Sequence, residues 1–126
     1  MKSLFSKLAF VLLIAAGLAA CRAAPVYNVE SERFIGNATL AQRADQIKRA
    51  GVGLGWAMED ISPGVMQGTL NLRSHQAVVL INYTPSNFSI RYKDSVNLDY
   101  TGTEIHKNYN SWVQRLQQAI VSQSSV

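Results

Sequence analysis

Apolar residues follow three different patterns along this chain, and each pattern predicts a different kind of element. Residues 8–18 form one nearly unbroken apolar run. Within residues 65–72 and 88–93, apolar and polar side chains alternate, which is the two-residue period of a strand with one buried face. Residues 75–83 are apolar on both faces in their middle, which suits a central strand. Residues 39–51 and 105–123 place apolar side chains every three or four positions, the period of an amphipathic helix. The pattern therefore predicts a helix, several strands and a final helix behind an apolar leader.

Four strand-like segments occupy the middle of the chain, and short turns join them. Pro63 takes the second position of the connection 62–64, and Pro85 takes the second position of the turn 84–87. Connections this short join antiparallel neighbours, so the segments are expected to form a meander. The four segments are residues 56–61, 65–72, 75–83 and 88–95.

The helix before the strands has a well-marked start. Thr39 stands three residues before Gln42, which is the spacing of a capping box, and Gly51 is a natural stop. The helical period places Arg43 outside the apolar stripe, among the polar residues. The stripe itself consists of Leu40, Ala44 and Ile47.

The final helix carries a stripe that suits packing on a sheet. The stripe consists of Tyr109, Trp112, Leu116 and Ile120, with Val113 beside it. Glutamines dominate the opposite side, whereas an interfacial membrane helix would carry lysine and arginine there. The sequence thus predicts an α+β fold. Its antiparallel sheet has about four strands in a meander, with an N-terminal and a C-terminal helix packed on one face.

The apolar leader is built like an export signal. Lys2 and Lys7 precede it and give the chain a positively charged start. The length of the apolar run falls short of the ~20 residues that a spanning helix needs. Ala19 and Ala20 follow, directly before the chain's single cysteine, Cys21. This ending, LAAC, resembles the lipobox of bacterial lipoproteins. In that family the cysteine thiol is joined to diacylglycerol, signal peptidase II cuts before it, and the new amino group is usually acylated.

The lipobox resemblance implies that Cys21 is lipidated and attaches the chain to a membrane. The alternative is an ordinary secretory signal with an incidental cysteine. Arg22 stands where enterobacterial lipoproteins retained in the inner membrane tend to have aspartate, which favours the outer membrane and a domain facing the periplasm. The predicted organisation is a signal peptide at residues 1–20, a lipidated cysteine and tether at 21–38, one small domain at 39–122 and a frayed tail at 123–126. Part of the tether is apolar enough to pack as an edge strand.

Removing the signal changes both the size and the charge of the chain. Of 126 residues, 106 would remain, which suits one domain with one core. Without Lys2 and Lys7 the 12 basic residues become 10 against 8 acidic ones, which lowers the formal net charge from +4 to +2. No basic cluster stands out, so nucleic acid is not an expected partner. A single cysteine also rules out an intramolecular disulfide.

Polar and aromatic residues gather where the last strand meets the last helix. We predict a candidate recognition surface there, because tyrosine combines a large contact area with a polar tip. The alternative is structural, with Asx and Ser residues turning the chain and aromatic rings filling the edge of the core. The candidate residues are Tyr92, Asp94, Ser95, His106 and Tyr109.

No catalytic residue, metal or cofactor is predicted. Asp94, Ser95 and His106 are the residue types of a hydrolase triad, but no nucleophile elbow surrounds Ser95. His75 and His106 could bind a metal with Asp94 or Asp99, but the two histidines lack the short spacing of metal ligands.

Two stretches near the C-terminus carry a second resemblance. They are SIRYKDSVNLDY and EIHKNYNSWVQRLQQAI. The upstream stretch GWAMEDISPGVMQGTL carries the same resemblance more weakly. They resemble a group of small, largely uncharacterised lipoproteins of proteobacteria over about the last third of the chain. The resemblance implies a small periplasmic α+β domain and carries over no catalytic residue. The shared residues are Tyr92, Asp94-Ser95, Asn97-Leu98, Ile105-His106, Asn108-Tyr109-Asn110 and Trp112.

Together these features predict a lipid-anchored envelope lipoprotein with a non-enzymatic binding or scaffold role. Its expected partners are the membrane, through Cys21, and an envelope protein or the cell wall. The alternative is a small-ligand-binding or small hydrolytic domain that uses the strand–helix junction of Asp94 and His106. A deep concave site lined by both residues would favour that alternative.

Overall fold

The computed structural model describes residues 22–126, in which seven strands and two helices follow one another. The predicted signal peptide and Cys21 lie outside the described residues. The elements are β1 Ala23–Pro25, β2 Val29–Arg33, α1 Leu40–Gly53, β3 Ala57–Ser62, β4 Val65–Leu72, β5 His75–Tyr83, β6 Asn87–Val96, β7 Glu104–His106 and α2 Lys107–Ser124.

The strands form an antiparallel five-stranded sheet in the order β2-β6-β5-β4-β3 and a separate ribbon of β1 with β7. The predicted α+β class is therefore present, and the four predicted strands form the meander from β3 to β6. The sheet has one strand more than expected because β2 joins the outer side of β6. No helix within residues 22–126 is long and apolar enough to cross a membrane.

The fifth strand comes from the stretch that the sequence assigned to a tether. Val29 pairs with Ile90 and is buried, and Phe34 packs on Phe88 with the ring centroids 5.0 Å apart. These apolar contacts outweigh the entropy of a free linker, so residues 22–38 belong to the folded body. The expectation of an edge strand in this stretch is confirmed, but a tether of that length does not exist.

Both helices cover the same face of the sheet. Trp56, Met58 and Val79 crowd around Gly68 on that face, where a Cβ atom at Gly68 would lie 3.2 Å from the Trp56 ring. Gly51 of α1 approaches the same Met58 so closely that a side chain there would clash. Tyr109 of α2 packs edge-on against Tyr92 of β6, which faces the same way. One core therefore lies between the helices and the sheet.

Helix α1 begins as the sequence predicts and ends two residues later than expected. Thr39 and Gln42 form a complete capping box. The helix passes Gly51 and ends at Gly53, because Gly51 serves close packing on β3 rather than a stop. The backbone N–H of Trp56 then donates to the Gly51 carbonyl, which closes the turn into β3.

The buried stripe of α2 is centred one residue away from the predicted one. Val113 is fully buried, whereas Trp112 is only half-buried beside His75. The helix also extends to Ser124, in the region predicted as a frayed tail. The Ser124 hydroxyl accepts the backbone N–H of Ile35 at 2.8 Å, so this last turn is fastened to the segment after β2. The remaining members of the buried stripe are Tyr109, Leu116 and Ile120.

Arg43 is the largest departure from the sequence interpretation, because it is fully buried instead of lying on the polar side of α1. All three of its side-chain nitrogens donate hydrogen bonds, and its guanidinium lies 4.3 Å from the centre of the Phe34 ring. Burial lowers the pKa of Arg43 from its usual value. The acceptors are the carbonyl oxygens of Ile35, Gly36, Pro85 and Ser124 and the side-chain oxygen of Gln46.

Candidate functional site

A β-bulge in β6 decides which residues reach the strand–helix junction. Val79 pairs with Tyr92 but Val78 pairs with Asp94, so Lys93 is an extra residue in the strand. Strict alternation after Tyr92 would point Asp94 into the core. The bulge turns Asp94 outward, where its carboxylate is exposed, and spares the cost of burying a charge.

The same bulge brings Ser95 back to the inner side of β6. Its hydroxyl and the Tyr92 hydroxyl share a hydrogen bond, with the oxygens 2.7 Å apart. The backbone N–H of Ser95 donates to the Asp94 carboxylate at 2.8 Å. Tyr92 and Ser95 thus form one polar pair, and Asp94 supports the local backbone from the other side.

The loop after β6 makes two sharp turns. Asn97 and Asp99 both adopt the left-handed conformation, with φ of 59° and 54°. Asparagine and aspartate tolerate this region better than most side chains. Between them Leu98 is buried in the core. The two turns return the chain toward β6 and place Tyr100 over Tyr92.

Three tyrosines stack at this junction from solvent to core. Tyr100 is 42% exposed and lies on Tyr92 with the ring centroids 3.9 Å apart. Tyr109 packs edge-on against Tyr92, with the centroids 5.7 Å apart, and is 0% exposed. The prediction that Tyr109 belongs to a recognition surface is therefore wrong, because the core covers its whole side chain. Tyr100 is the ring of this cluster that solvent reaches.

Burial keeps the inner tyrosines neutral. It raises the pKa of Tyr109 well above the usual value, and nearby Tyr92 and Tyr100 add to the effect. Burial also raises the pKa of Tyr92, against a smaller lowering by its hydrogen bond to Ser95. Neither phenol is poised to act as an anion, so this cluster offers stacking and hydrogen bonds rather than a nucleophile.

His106 serves the start of α2. Its Nδ1 atom accepts the backbone N–H of Asn108 at 3.2 Å, and its own backbone N–H donates to the Leu98 carbonyl. His106 is the N-cap residue of α2, directly before its first residue Lys107. The cap occupies the nitrogen lone pair that a general base would use. His106 also lines a surface depression of about 320 Å³ together with Arg22, Ala23, Asp99 and Thr101.

The structure does not bring Asp94 and His106 together. In the described part of the chain, no ion pair or side-chain hydrogen bond joins them, and Asp94 does not line the depression beside His106. Asp99, from the loop after β6, is the carboxylate that lines that depression. Ser95 bonds to Tyr92 and not to His106, so the triad residue types are not assembled as a triad.

Among residues 22–126, no three His, Cys, Asp or Glu side chains are grouped to hold a metal ion. No protein-family model, curated protein or solved structure matches this chain.

The sequence predicts Tyr92 and Tyr109 at the same junction, where the structure places them, but Asp99 was not among the candidate recognition residues. The residues Asn97, Leu98 and Asp99 did contain a usable signal. An apolar residue between two side chains that tolerate left-handed backbone can mark a loop that turns inward and out again. Asp99 thereby comes to the side of the junction where β7 and the first described residue lie.

Proposed function

We propose that this protein is a lipoprotein of the bacterial cell envelope, anchored through acylated Cys21, with a non-catalytic binding or scaffold role. It faces the periplasm from the outer membrane. The observation that carries the proposal is the LAAC ending of the apolar leader, directly before a folded body. Because the described body starts at Arg22, cleavage before Cys21 would leave every described residue in place.

The proposed binding role rests on what the surface offers. The helices cover one face of the five-stranded sheet, and the opposite face carries solvent-reaching polar residues such as Gln67, Ser89 and Arg91. At the strand–helix junction, the exposed ring of Tyr100 stands on the bonded pair of Tyr92 and Ser95. A rigid aromatic ring with a polar tip beside it is well suited to contact a protein or a cell-wall polymer.

The anchor is tested by lipid labelling in the native bacterium. Wild-type protein is expected to incorporate labelled palmitate and to sediment with outer membranes, whereas Cys21→Ser should incorporate none. Arg22→Asp is the matched localisation variant, and it should keep the label but move to the inner membrane. A wild-type protein without label would overturn the lipoprotein proposal.

The binding role is tested at Tyr100. A photo-crosslinking amino acid placed there in intact cells should capture one discrete partner, and Tyr100→Ala should fail to complement a deletion strain. Ile35→Ala is the control, because Ile35 is also an exposed apolar residue and lies at the far end of α2. Full complementation by Tyr100→Ala, with normal folding, would remove this surface from the proposal.

A further inference from the structure

The first described residues, 22–25, are fixed to the body by hydrogen bonds. The Arg22 carbonyl accepts the backbone N–H of Lys107 at 2.9 Å. Ala23 then pairs with His106 in the ribbon of β1 and β7, and Pro25 accepts a hydrogen bond from Asn110 of α2. Hydrogen bonds to the first turns of α2 and to β7 thus hold the body from its first described residue onward.

Arg22 lies one residue from the proposed lipid. Consecutive Cα atoms are about 3.8 Å apart, so Cys21 is held within that distance of Arg22. A headgroup layer is roughly 5–8 Å thick in each leaflet, from the difference between the full bilayer and its hydrocarbon core. An anchor this short cannot lift the body clear of the headgroups.

We infer that the body stands directly on the phospholipid leaflet that holds its anchor, through one defined end. This end, called the exit end, consists of Arg22, Leu72, the turn Arg73–Ser74, Val96 and Lys107. The inference rests on the proposed acylation of Cys21, and it adds the surface that meets the lipid and the orientation that follows.

Strand pairing and hydrogen bonds join the segments of the exit end. The Leu98 carbonyl, in the loop after Val96, accepts the backbone N–H of His106, which is next to Lys107. Leu72 pairs with His75 across the β4–β5 turn, and Val96 pairs with Gln76 on the other side of β5. The loop after Val96 is tied to that turn, because the Asn97 amide donates to the Ser74 hydroxyl and the Asn97 carbonyl lies 2.7 Å from His75 Nδ1.

The chemistry of the exit end fits a phospholipid surface. Leu72 and Val96 are 45% and 51% exposed, and they can reach the boundary between headgroups and acyl chains. Arg22, Arg73 and Lys107 are exposed cations, which anionic headgroups attract. Asp99 is a carboxylate beside Arg22, so the attraction is modest and the apolar contacts and short anchor dominate.

The opposite end of the body then points into the periplasm. β5 runs from the exit end to the turn at residues 84–87, and its nine residues span roughly 27 Å. The β3–β4 turn at Pro63–Gly64 lies at that far end too, since the Gly64 carbonyl accepts the backbone N–H of Tyr83.

The test measures depth with single thiols on the full lipidated protein. Acylation consumes the Cys21 thiol, so an introduced cysteine is the reactive one. Val96→Cys and Arg73→Cys report the exit end, and Ser86→Cys reports the far end. Each carries a fluorophore, and the protein is reconstituted in vesicles of three parts phosphatidylethanolamine to one part phosphatidylglycerol with a nitroxide on the headgroups. Quenching at positions 96 and 73 is expected to be several-fold stronger than at 86.

A matched variant isolates the short anchor as the cause. Inserting a Gly/Ser segment of about ten residues between Cys21 and Arg22 adds a root-mean-square span of roughly 17 Å. It should weaken quenching at position 96 toward the level at 86. Equal quenching at both ends without the insert, or quenching that the insert leaves unchanged, would overturn the inference.

Failure of the anchor itself gives a different signature. Protein that is not acylated does not float with the vesicles, and its Cys21 thiol reacts with the fluorophore. That result would overturn the proposed lipidation and the inference with it. Protein that floats but is quenched equally at both ends would overturn the inference alone.

Discussion

A buried polar side chain lies near each end of helix α2, and the two differ in their hydrogen bonds. Near its start, the Tyr109 hydroxyl is fully buried and has no hydrogen-bond partner within residues 22–126. Against its last turn, the Arg43 side chain from α1 is equally buried, yet each of its nitrogens donates to an oxygen. One end leaves a neutral group unpaired, and the other surrounds a charge with acceptors.

The difference follows from the cost of burial. A neutral hydroxyl without a partner costs about 1–3 kcal/mol, which the packing of the Tyr109 ring can offset. An unpaired guanidinium would cost far more, so a buried arginine persists only where acceptors converge. The Tyr109 side chain is therefore held by apolar and aromatic packing. The Arg43 side chain is held by hydrogen bonds, one of which goes to the Ser124 carbonyl at the end of α2.

The strongest test of this contrast is to remove Arg43. Arg43→Met should lower the free energy of unfolding by about 3–5 kcal/mol, because carbonyl oxygens from three separate segments lose their donor inside the protein. A small domain has only about 5–15 kcal/mol in total, so little reserve would remain. Urea unfolding of the lipidated protein in detergent, followed by the fluorescence of buried Trp56, measures the change.

Arg49→Met is the matched control for this loss. Arg49 is exposed on the same helix and makes one 3.3 Å hydrogen bond to Gln123, so its replacement should change stability by less than about 0.5 kcal/mol. Arg43→Lys should fall between the two, because one ammonium group cannot reach the same set of acceptors. A loss below about 1 kcal/mol for Arg43→Met would show that α2 does not depend on this arginine.

Alkaline pH should act on the start of α2. The unfolded chain releases a tyrosine proton above about pH 10, while burial raises the pKa of Tyr109 in the folded state. Above that pH the folded protein binds more protons than the unfolded chain. The contribution of Tyr109 to the free energy of unfolding is therefore constant below about pH 10 and falls as the pH rises further. Each pH unit in that window costs about 1.4 kcal/mol per such group. Denaturant midpoints across the window should fall less steeply for Tyr109→Phe than for wild type.

A smaller change in stability is expected from removing the hydroxyl of Tyr109 or of Tyr92. Tyr109→Phe removes an unpartnered hydroxyl, so at neutral pH it should leave stability unchanged or raise it by about 1 kcal/mol. Tyr92→Phe removes a hydroxyl that is bonded to Ser95, so it should lower stability by about 0.5–1.5 kcal/mol. Thermal melts compare the two variants. A clear loss for Tyr109→Phe would mean that its hydroxyl has a partner after all.

The sequence predicted the elements whose signals are local. The capping box of Thr39 and Gln42 requires residues only three apart, and the alternation of β4 and of the first part of β6 follows from each strand alone. The burial of Arg43 requires Pro85 and Ser124, which are 42 and 81 residues away. A helical period therefore assigned this arginine to the polar side.

The candidate site was predicted in the same partial way. Tyr92 and Ser95 were placed together, but their hydrogen bond depends on the bulge at Lys93, which the regular alternation before it conceals. The aromatic character of Tyr109 indicates a place at the junction, but its full burial depends on the core residues around it, among them Tyr92, which its ring meets edge-on. Asp99 reaches the depression beside His106 only because two left-handed residues turn the loop.

The smallest effect concerns the cap of α2. His106→Ala should lower stability by only about 0.5–1 kcal/mol, because it removes one 3.2 Å cap hydrogen bond and leaves the other hydrogen bonds at the start of α2 in place. Asp94→Asn should change it by less than about 0.5 kcal/mol, because an amide oxygen can still accept the Ser95 N–H and the side chain is exposed. Thermal melts of both variants, with complementation of a deletion strain by each anchored protein, provide the measurement. A loss of about 2 kcal/mol for His106→Ala would show that His106 contributes more to the start of α2 than this one cap hydrogen bond. Normal melts with lost complementation would instead place Asp94 or His106 in a functional site.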